Sequence, residues 1–273
     1  MTLLQALILG IVQGITEFIP VSSSAHLVIV PALLGWSIPA NEAFVFDVLV
    51  QVATLAGVFA YFWRDIADIT SAVFWGIWRR QPFTPPSAKL GWLVLIATLP
   101  AGVVGLLIKD LVEKTFDSPR VSAIFLLVTA VVLLIAERFG KRARPLEQLG
   151  WKDAVWVGFF QALALFPGIS RSGATIAGGM TRNLERQAAA RFSFLMSIPI
   201  ILAAGASASF DLSKIPDLPS LLPIFIPGFL VAAITGYLSI RWLLGYLKRR
   251  PLIGFAVYCV IISLITLVVI QIG

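Results

Sequence analysis

One short stretch, EFIPVSSSAHL at residues 17–27, concentrates chemically active side chains in an otherwise apolar part of the chain. It contains the carboxylate of Glu17, three consecutive serines and His26, the only histidine in the sequence. A carboxylate, hydroxyls and an imidazole are together the groups used for metal binding, base catalysis or nucleophilic attack. Gln13 precedes Glu17 by four residues, which places both on one face of a helix. This stretch is therefore a candidate functional site.

A second polar stretch, PGISRSGAT at residues 167–175, indicates a different chemistry. A helix beginning near Ser172 would direct its free N–H groups back into the stretch, an arrangement that binds anions. The planar guanidinium of Arg171 is suited to two phosphate oxygens. The alternative is a buried ion pair between Arg171 and Glu17, and the two interpretations are compatible if a metal and phosphate lie between them. The candidate phosphate-binding residues are Ser170, Arg171, Ser172, Gly173 and Thr175.

The composition places both stretches in a membrane protein. Of 273 residues, 59% are hydrophobic and 13% are charged, against about 25% charged residues in soluble domains, and the mean hydropathy is +0.94. The net charge of +7 comes from basic residues dispersed among apolar runs, which argues against nucleic acid as a partner. A transmembrane helix needs about 20 mostly apolar residues. Six such spans are predicted, near 43–63, 91–108, 121–137, 192–209, 222–241 and 252–272.

Two further apolar regions, 1–36 and 154–184, are each interrupted midway by one of the polar stretches. Each half is too short to cross a bilayer. Irregular backbone at membrane depth survives only where protein or a water-filled cavity satisfies its polar groups. We therefore predict that each region is a re-entrant helix hairpin, which enters and leaves the membrane on the same side.

The distribution of lysine and arginine predicts the orientation in the membrane. Most of the 21 basic residues fall in the loops 64–90, 138–152, 182–191 and 241–251. The positive-inside rule places these loops in the cytoplasm, which leaves both termini outside. The first hairpin then enters from outside and the second from inside. The stretch IADITSAVFWGIW, residues 66–78, is expected to lie along the cytoplasmic surface.

Opposite entry of two hairpins suggests an internal repeat, and a shift of 148 residues reveals one. The shift superposes Gly10 on Gly158, Gln13 on Gln161, Phe18 on Phe166, Ser22 on Ser170, Ser24 on Ser172, Phe44 on Phe192 and Phe46 on Phe194. We predict a single membrane domain over 1–273, with inverted repeats at 1–137 and 154–273 and a cytoplasmic linker at 138–153. The fold class is an all-α integral membrane protein with six transmembrane helices and two re-entrant hairpins in an inverted-topology repeat. Such repeats place a site near the midplane, where the halves meet.

The segments QGITEFIPVSSSAH and PGISRSGATI resemble the two signature motifs of bacterial undecaprenyl-pyrophosphate phosphatases of the bacitracin-resistance type, and RFSFLMSIP after the second motif is also similar. The resemblance implies hydrolysis of undecaprenyl pyrophosphate to the monophosphate carrier of peptidoglycan synthesis. It also implies bacitracin resistance, a homodimer in the bacterial inner membrane and an active site that faces the periplasm. The prenyl chain is expected in a lateral apolar opening among the membrane lipids.

The resemblance also suggests roles for individual residues. Glu17, with Gln13, is expected to hold Mg²⁺ or Ca²⁺, although many members have Glu where Gln13 stands. Ser23 is the expected nucleophile with His26 as its base, and His26 as the direct nucleophile is the alternative. Ala25 replaces a common glycine.

A different class of function is a flippase for polyprenyl-phosphate lipids, since inverted re-entrant repeats are also typical of transporters. Ser23 and His26 favour hydrolysis, because binding alone does not need a nucleophile beside a base.

Overall fold

The computed structural model describes residues 1–108, 111, 112, 115, 118–212 and 218–272, and within them the chain is helical and forms no β-strand. This confirms the predicted all-α class. The helices are α1 (Leu3–Thr16), α2 (Ser23–Leu33), α3 (Ala40–Trp78), α4 (Pro86–Leu107), α5 (Pro119–Phe139), α6 (Trp151–Leu163), α7 (Arg171–Thr181), α8 (Arg186–Leu212), α9 (Leu218–Leu247) and α10 (Ile253–Ile272).

Six helices in the described residues, namely α3, α4, α5, α8, α9 and α10, are long and apolar enough to cross a membrane. They coincide with the six predicted spans. Helix α3 has 39 residues and is kinked at Phe62, whose backbone angles (φ −100°, ψ 18°) are not helical. The kink separates the predicted span 43–63 from the segment 66–78. The surface position of that segment remains a prediction.

The two interrupted regions form pairs of short helices. Helices α1, α2, α6 and α7 have 14, 11, 13 and 11 residues. At about 1.5 Å per residue they are shorter than the roughly 30 Å hydrocarbon core. We name the connecting residues the first break (17–22) and the second break (164–170). The helix–break–helix pattern agrees with the predicted hairpins, whereas their re-entrant course, their membrane orientation and the repeat boundaries remain predictions.

Helices α1 and α6 pack against long helices through glycines at equivalent positions. A Cβ on Gly10 of α1 would lie 2.4 Å from the carbonyl oxygen of Gly228 in α9. A Cβ on Gly158 of α6 would lie 2.5 Å from the carbonyl oxygen of Ala97 in α4. Only glycine permits backbones to approach this closely. The first short helix of each hairpin is thereby fixed against a membrane-spanning helix.

A phenylalanine anchors each break in the apolar interior. Phe18, fully buried in the first break, contacts Phe194 of α8 edge to face, with ring centroids 5.4 Å apart. Phe166 in the second break contacts Phe125 of α5, also with a centroid separation of 5.4 Å. Such aromatic pairs contribute about 0.5–1.5 kcal/mol beyond their buried area. The irregular segments are thus held in place by side-chain packing.

Ion pairs join the helices at the end that the charge distribution assigns to the cytoplasm. Glu137 of α5 accepts hydrogen bonds from Arg142 and Arg186 and from the backbone N–H of Leu252. A single carboxylate therefore connects α5, the following linker, α8 and the start of α10. A buried carboxylate with several donors is satisfied only while these segments stay together, so the predicted linker is an integral part of the fold.

Candidate active site

The two breaks meet at an ion pair between Glu17 and Arg171. Arg171 Nη2 lies 2.6 Å from Glu17 Oε1, and the two side chains are only 15% and 10% exposed. Glu17 follows α1 directly and Arg171 is the first residue of α7. From the sequence, this pair was the alternative to a free phosphate-binding arginine. The structure shows that the pair is formed and that it brings both motifs into one site.

The second carboxylate oxygen of Glu17 accepts hydrogen bonds from the first motif. Ser23 Oγ donates to Glu17 Oε2 at 2.6 Å, and Gln13 Nε2 donates to the same oxygen at 2.9 Å. Ser23 makes no hydrogen bond to His26, its expected base. Ser23 is the first residue of α2 and its hydroxyl reaches back across the break to the carboxylate, while the imidazole has other partners. Glu17 is therefore the group bonded to the Ser23 hydroxyl.

His26 is held at both ring nitrogens. Its Nδ1 lies 2.8 Å from the carbonyl oxygen of Ser22, and its Nε2 lies 2.8 Å from the hydroxyl of Tyr258 in α10. The residue is 4% exposed. Sequence reasoning missed Tyr258, because it is a single tyrosine in an apolar span with no motif around it.

The first break ends in a strained turn at Ser22. This residue has φ +70°, ψ 98°, in a region that non-glycine residues seldom adopt. Its hydroxyl caps α2 by accepting from the Ala25 N–H at 3.4 Å and lies 3.2 Å from Ser24 Oγ. Backbone strain of this kind costs about 1–3 kcal/mol and is common at functional sites. The turn places Ser23 at the helix N-terminus, facing Glu17.

The second break repeats these contacts at the equivalent residues. Ser170 caps α7 by accepting from the Gly173 N–H at 3.0 Å and lies 3.1 Å from Ser172 Oγ. Ser172 also donates to the carbonyl oxygen of Ile19 in the first break, at 3.3 Å. A helix therefore begins within one residue of the predicted start. Its N-terminus lies against the first break, as an anion site shared by both motifs requires.

Helix α8 contributes a residue that the motifs do not contain. Ser193 accepts from Arg171 Nη1 through its carbonyl oxygen at 3.4 Å, and its hydroxyl lies 2.6 Å from Thr175 Oγ1. The Thr175 hydroxyl also donates to the Arg171 carbonyl oxygen at 2.7 Å. Thr175 is thus placed behind Arg171, where it positions the arginine. Ser193 lies in RFSFLMSIP, which the sequence analysis noted only as similar.

Thr129 of α5 stabilises the second break through two hydrogen bonds. This role was not predicted from the sequence. Its hydroxyl donates to the carbonyl oxygen of Gly168 and accepts from the backbone N–H of Ser170, each at 2.9 Å. Gly168 has φ +99°, a conformation open to glycine. The one sequence signal is a lone threonine within LLVTAVVLL. A buried hydroxyl that satisfies two backbone groups fixes the start of α7.

The oxygen atoms of Glu17 and Gln13 suit the expected metal ion in part. The described residues contain no group of three or more His, Cys, Asp or Glu side chains able to hold a metal by themselves. Gln13 Oε1 is nevertheless buried without a hydrogen-bond partner, on the amide whose Nε2 donates to Glu17. Mg²⁺ is commonly held by one or two carboxylates together with substrate phosphates. Glu17 and the amide oxygen of Gln13 therefore suit a cation that arrives with a pyrophosphate.

The site combines a hydroxyl bonded to a carboxylate, a guanidinium and the N-terminus of a helix within a bundle of membrane-spanning helices. These groups can deliver a nucleophile to phosphorus and stabilise the charge that develops on its oxygens. The fold and site define a membrane protein equipped for phosphoryl transfer. Residues 6–265 match the family described as bacitracin resistance protein BacA, and the chain belongs to that family.

Related proteins match along almost their whole length. An undecaprenyl-diphosphatase of Myxococcus xanthus (strain DK1622) is 42% identical over 273 residues, covering 100% of this chain and 91% of the relative. One of Chlorobium phaeovibrioides (strain DSM 265 / 1930) is 44% identical over 284 aligned positions, covering 100% and 99%. One of Methanosphaera stadtmanae (strain ATCC 43021 / DSM 3091 / JCM 11832 / MCB-3) is 41% identical, covering 97% of each chain. The recognised resemblance is thereby confirmed.

Proposed function

We propose that this protein hydrolyses undecaprenyl pyrophosphate to undecaprenyl phosphate and inorganic phosphate. The reaction regenerates the lipid carrier of peptidoglycan synthesis and confers bacitracin resistance. Membership of the BacA family and the names of the full-length relatives support this function. The structural observation that carries it is the Ser23 hydroxyl, bonded at 2.6 Å to Glu17, whose other oxygen holds Arg171.

The first step transfers the terminal phosphoryl group to Ser23. The Ser23 oxygen attacks the terminal phosphorus as its proton passes to Glu17 Oε2, the acceptor to which it is already bonded. The new O–P bond forms, the bond from this phosphorus to the bridging oxygen breaks, and undecaprenyl phosphate leaves with that oxygen. Glu17 takes the place of His26 as the base in this step, because the hydrogen bond exists before substrate arrives.

The second step hydrolyses the phosphoserine. His26 lies three residues after Ser23, which is one helical turn along α2. We assign His26 as the base that takes a proton from the attacking water. The water oxygen bonds to phosphorus, the Ser23 O–P bond breaks, and the serine oxygen regains the proton that Glu17 took in the first step. Inorganic phosphate leaves, and His26 returns its proton to solvent. Proton uptake from water and direct attack by His26 both use the Nε2 lone pair, so in either case the Tyr258 hydroxyl must first release it.

The second motif binds the phosphate. Ser170 and Ser172 shape the N-terminus of α7, and Arg171 lies at its first position. Helix N-termini and arginine both favour oxyanions. Arg171 stabilises the charge on the transferred group while it remains bonded to Glu17. A Mg²⁺ or Ca²⁺ ion held by Glu17 and Gln13, when bound, would supply further neutralisation of the pyrophosphate.

The metal proposal has a readout that does not require turnover. Added Mg²⁺ together with a non-hydrolysable pyrophosphate analogue should raise the melting temperature of the parent protein. Glu17→Gln should remove that increase. Gln13→Glu should produce it at lower Mg²⁺ concentration, because a second carboxylate strengthens binding of a hard cation. Equal responses in all three proteins would contradict metal binding at this position.

The prenyl chain occupies an apolar cavity beside the first break. The cavity has a volume of about 340 Å³ and is lined by Ile15, Ile19, Thr235, Leu238, Ser239 and Trp242. Thr235 and Ser239 donate to carbonyl oxygens of their own helix, so the surface that they offer to a lipid is largely apolar. Ile15 and Ile19 flank Glu17 in the chain. A tail in this cavity lies against membrane lipids while its head group reaches the site.

We further propose that the two hairpins are inverted repeats in the inner membrane, that both termini are outside and that the site opens to the periplasm. The matched glycine contacts of α1 and α6 and the matched serine caps of α2 and α7 support the repeat.

A cysteine at the exposed Ser37, in a Cys259→Ala background, should react with an impermeant thiol reagent added to right-side-out vesicles. Gln81→Cys should react only in inverted vesicles, and the reverse pattern would overturn the orientation. The homodimer also remains a proposal, to be tested by the mass of the protein–detergent complex.

Release of phosphate from undecaprenyl pyrophosphate by purified protein in detergent tests the function. Ser23→Ala should abolish release, and His26→Ala should accumulate a phosphorylated enzyme. A phosphoseryl bond survives acid quenching, whereas a phosphohistidyl bond does not. Acid-stable phosphate at residue 23, found by mass spectrometry, would support Ser23 as nucleophile. An acid-labile adduct that persists in Ser23→Ala would assign attack to His26 instead.

The flippase alternative is not favoured by the comparisons, since the three relatives are named as diphosphatases. The hydrogen-bonded Ser23 and Glu17 also provide a reactive pair that lipid transport does not need.

A further inference from the structure

We propose that Tyr258 is a positioning residue for His26, an inference that rests on the proposed phosphatase function of the same site. The hydroxyl of Tyr258 lies 2.8 Å from His26 Nε2. The two rings are nearly parallel, with an angle of 8° between their planes and 5.6 Å between their centroids. A ring contact and a hydrogen bond to the same partner restrict the imidazole more than either would alone.

The hydrogen bonds assign the tautomer of the neutral imidazole. His26 Nδ1 faces the carbonyl oxygen of Ser22 at 2.8 Å, and a carbonyl can only accept. Nδ1 therefore carries the hydrogen and Nε2 keeps its lone pair. The hydroxyl of Tyr258 donates to Nε2 in this state. The atom that must take a proton in the proposed second step is thus the one that Tyr258 contacts.

A tyrosine hydroxyl can serve both protonation states of the histidine. It donates to the lone pair of a neutral imidazole, and it accepts from the N–H of an imidazolium. The same contact can therefore exist before His26 takes a proton and form again afterwards, and it opens only while water reaches the Nε2 lone pair. Phenylalanine would keep the ring and lose both hydrogen bonds. This difference separates the positioning role from simple packing.

Helix α10 is well placed to hold His26 because two successive residues contact the first hairpin, Tyr258 at His26 of α2 and Cys259 at the first break. Cys259 Sγ lies 3.9 Å from the carbonyl oxygen of Pro20 and is fully buried. Tyr258 is 39% exposed, while His26 is 4% exposed. The tyrosine therefore connects an enclosed imidazole to the outer part of the helix bundle. The contact joins residues 232 positions apart, which explains why no local motif contains it.

Kinetics of Tyr258→Phe provide the first test. We expect kcat to fall about tenfold, the lower end of the loss seen when a hydrogen-bond partner that orients a metal-bound histidine is removed, with KM changed less than twofold because Tyr258 does not hold the phosphate. Tyr258→Ala should be slower still, since it also loses the stacked ring. Tyr246→Phe is the matched control: its hydroxyl faces the Pro251 carbonyl oxygen at 3.3 Å, away from the site, and its kcat should equal that of the parent. A kcat of Tyr258→Phe at or above the parent value would overturn the proposal.

The single histidine makes a second test possible that does not depend on turnover. Protein labelled with ¹⁵N-histidine and purified without a histidine tag gives imidazole nitrogen signals from His26 alone. The parent should show a protonated Nδ1 and a hydrogen-bonded, unprotonated Nε2 at neutral pH. Tyr258→Phe should keep Nδ1 protonated, because the Ser22 carbonyl oxygen still accepts from it, but its Nε2 signal should move to that of a nitrogen without a hydrogen bond, whereas Tyr246→Phe should match the parent. An Nε2-protonated parent, or identical spectra for all three proteins, would overturn the inference. Absence of phosphatase activity in the parent would instead refute the proposed function and leave these spectra interpretable.

Discussion

Glu17 and Arg171 join the two motifs across 154 positions of the chain, with 2.6 Å between Oε1 and Nη2. Each residue lies at a helix terminus next to a break, so the pair connects two irregular segments where regular backbone hydrogen bonding stops. Glu17 also accepts a hydrogen bond from the Ser23 hydroxyl, and Arg171 also donates one to the carbonyl oxygen of Ser193. The ion pair is therefore the centre of a hydrogen-bond network, and a change at either residue affects both the nucleophile and the phosphate-binding helix.

Arg171→Lys is expected to lose activity by about 100- to 1,000-fold, the usual cost of removing one preorganised transition-state contact. Lysine keeps the charge but cannot reach Glu17, Ser193 and phosphate with a planar set of donors. Phosphate release from a short prenyl pyrophosphate measures the effect, and thermal melting in detergent should show the variant folded.

The matched control for this change is Arg191→Lys, since Arg191 pairs with Asp65 at an exposed position and, within the described part of the chain, forms no hydrogen bond or ion pair with Glu17 or Arg171. It should retain parental activity. Near-parental activity of Arg171→Lys would contradict this prediction. It would show that Arg171 serves only as a counter-ion of Glu17 and that the second motif does not bind phosphate.

Glu17→Gln should reduce turnover by about 1,000-fold or more, because it removes the proton acceptor of Ser23 and the partner of Arg171 together. Gln13→Ala should cost only about 10- to 100-fold, as for a partner that orients a functional carboxylate. Glu42→Gln, which changes a carboxylate bonded to the N-terminus of the chain, serves as the control. Equal losses in Glu17→Gln and Gln13→Ala would show that Glu17 has no special chemical role.

Gly168→Ala should destabilise the protein more strongly than an ordinary glycine substitution. Its φ is +99°, and an added Cβ would lie 2.3 Å from the Ser122 carbonyl oxygen and 2.7 Å from Phe125 Cβ. Gly35 also has a positive φ, +63°, but an added Cβ there meets no atom within 4 Å. Gly35→Ala should therefore cost about 1–2 kcal/mol from backbone conformation alone, and Gly168→Ala clearly more. Melting temperatures decide the comparison, and similar values would mean that the second break can relax.

Stability in acid should depend on Asp153, at the start of α6. Burial alone raises the pKa of this carboxyl, but hydrogen bonds from Arg144, Arg182 and the Gly150 N–H outweigh burial and hold the pKa below its usual value. A carboxyl with a lowered pKa stabilises the folded state fully above its unfolded pKa, about 3.9. This contribution declines as the pH falls through the folded pKa.

Asp153→Asn should therefore melt several degrees below the parent at pH 7. The difference should narrow as the pH falls below about 4. Melting curves of both proteins between pH 7 and pH 3 provide the measurement. A constant difference across this range would show that the charge of Asp153 is not the stabilising feature.

Local pattern was sufficient to predict the broad architecture and the motif residues that meet in the site. Hydropathy determines which helices are long and apolar enough to cross a membrane. Both breaks were predictable because each combines proline with several serine or glycine residues, whereas a single proline such as Pro100 lies inside a helix. Charged side chains are costly in an apolar region, which is why Glu17 and Arg171 stood out. Ser23 and His26 were identified from the family motif, which is also a short stretch of the sequence.

The tertiary structure alone decided how these residues are paired. Ser23 bonds to Glu17 rather than His26 because the turn at Ser22 directs its hydroxyl back across the break. His26 instead meets Tyr258, which only the packing of α10 against the first break brings within reach. Thr129 likewise supports Ser170 from another helix. Whether a hydrogen bond forms depends on differences of a few tenths of an ångström in donor–acceptor distance and on side-chain direction. Both are set when helices distant in sequence pack together.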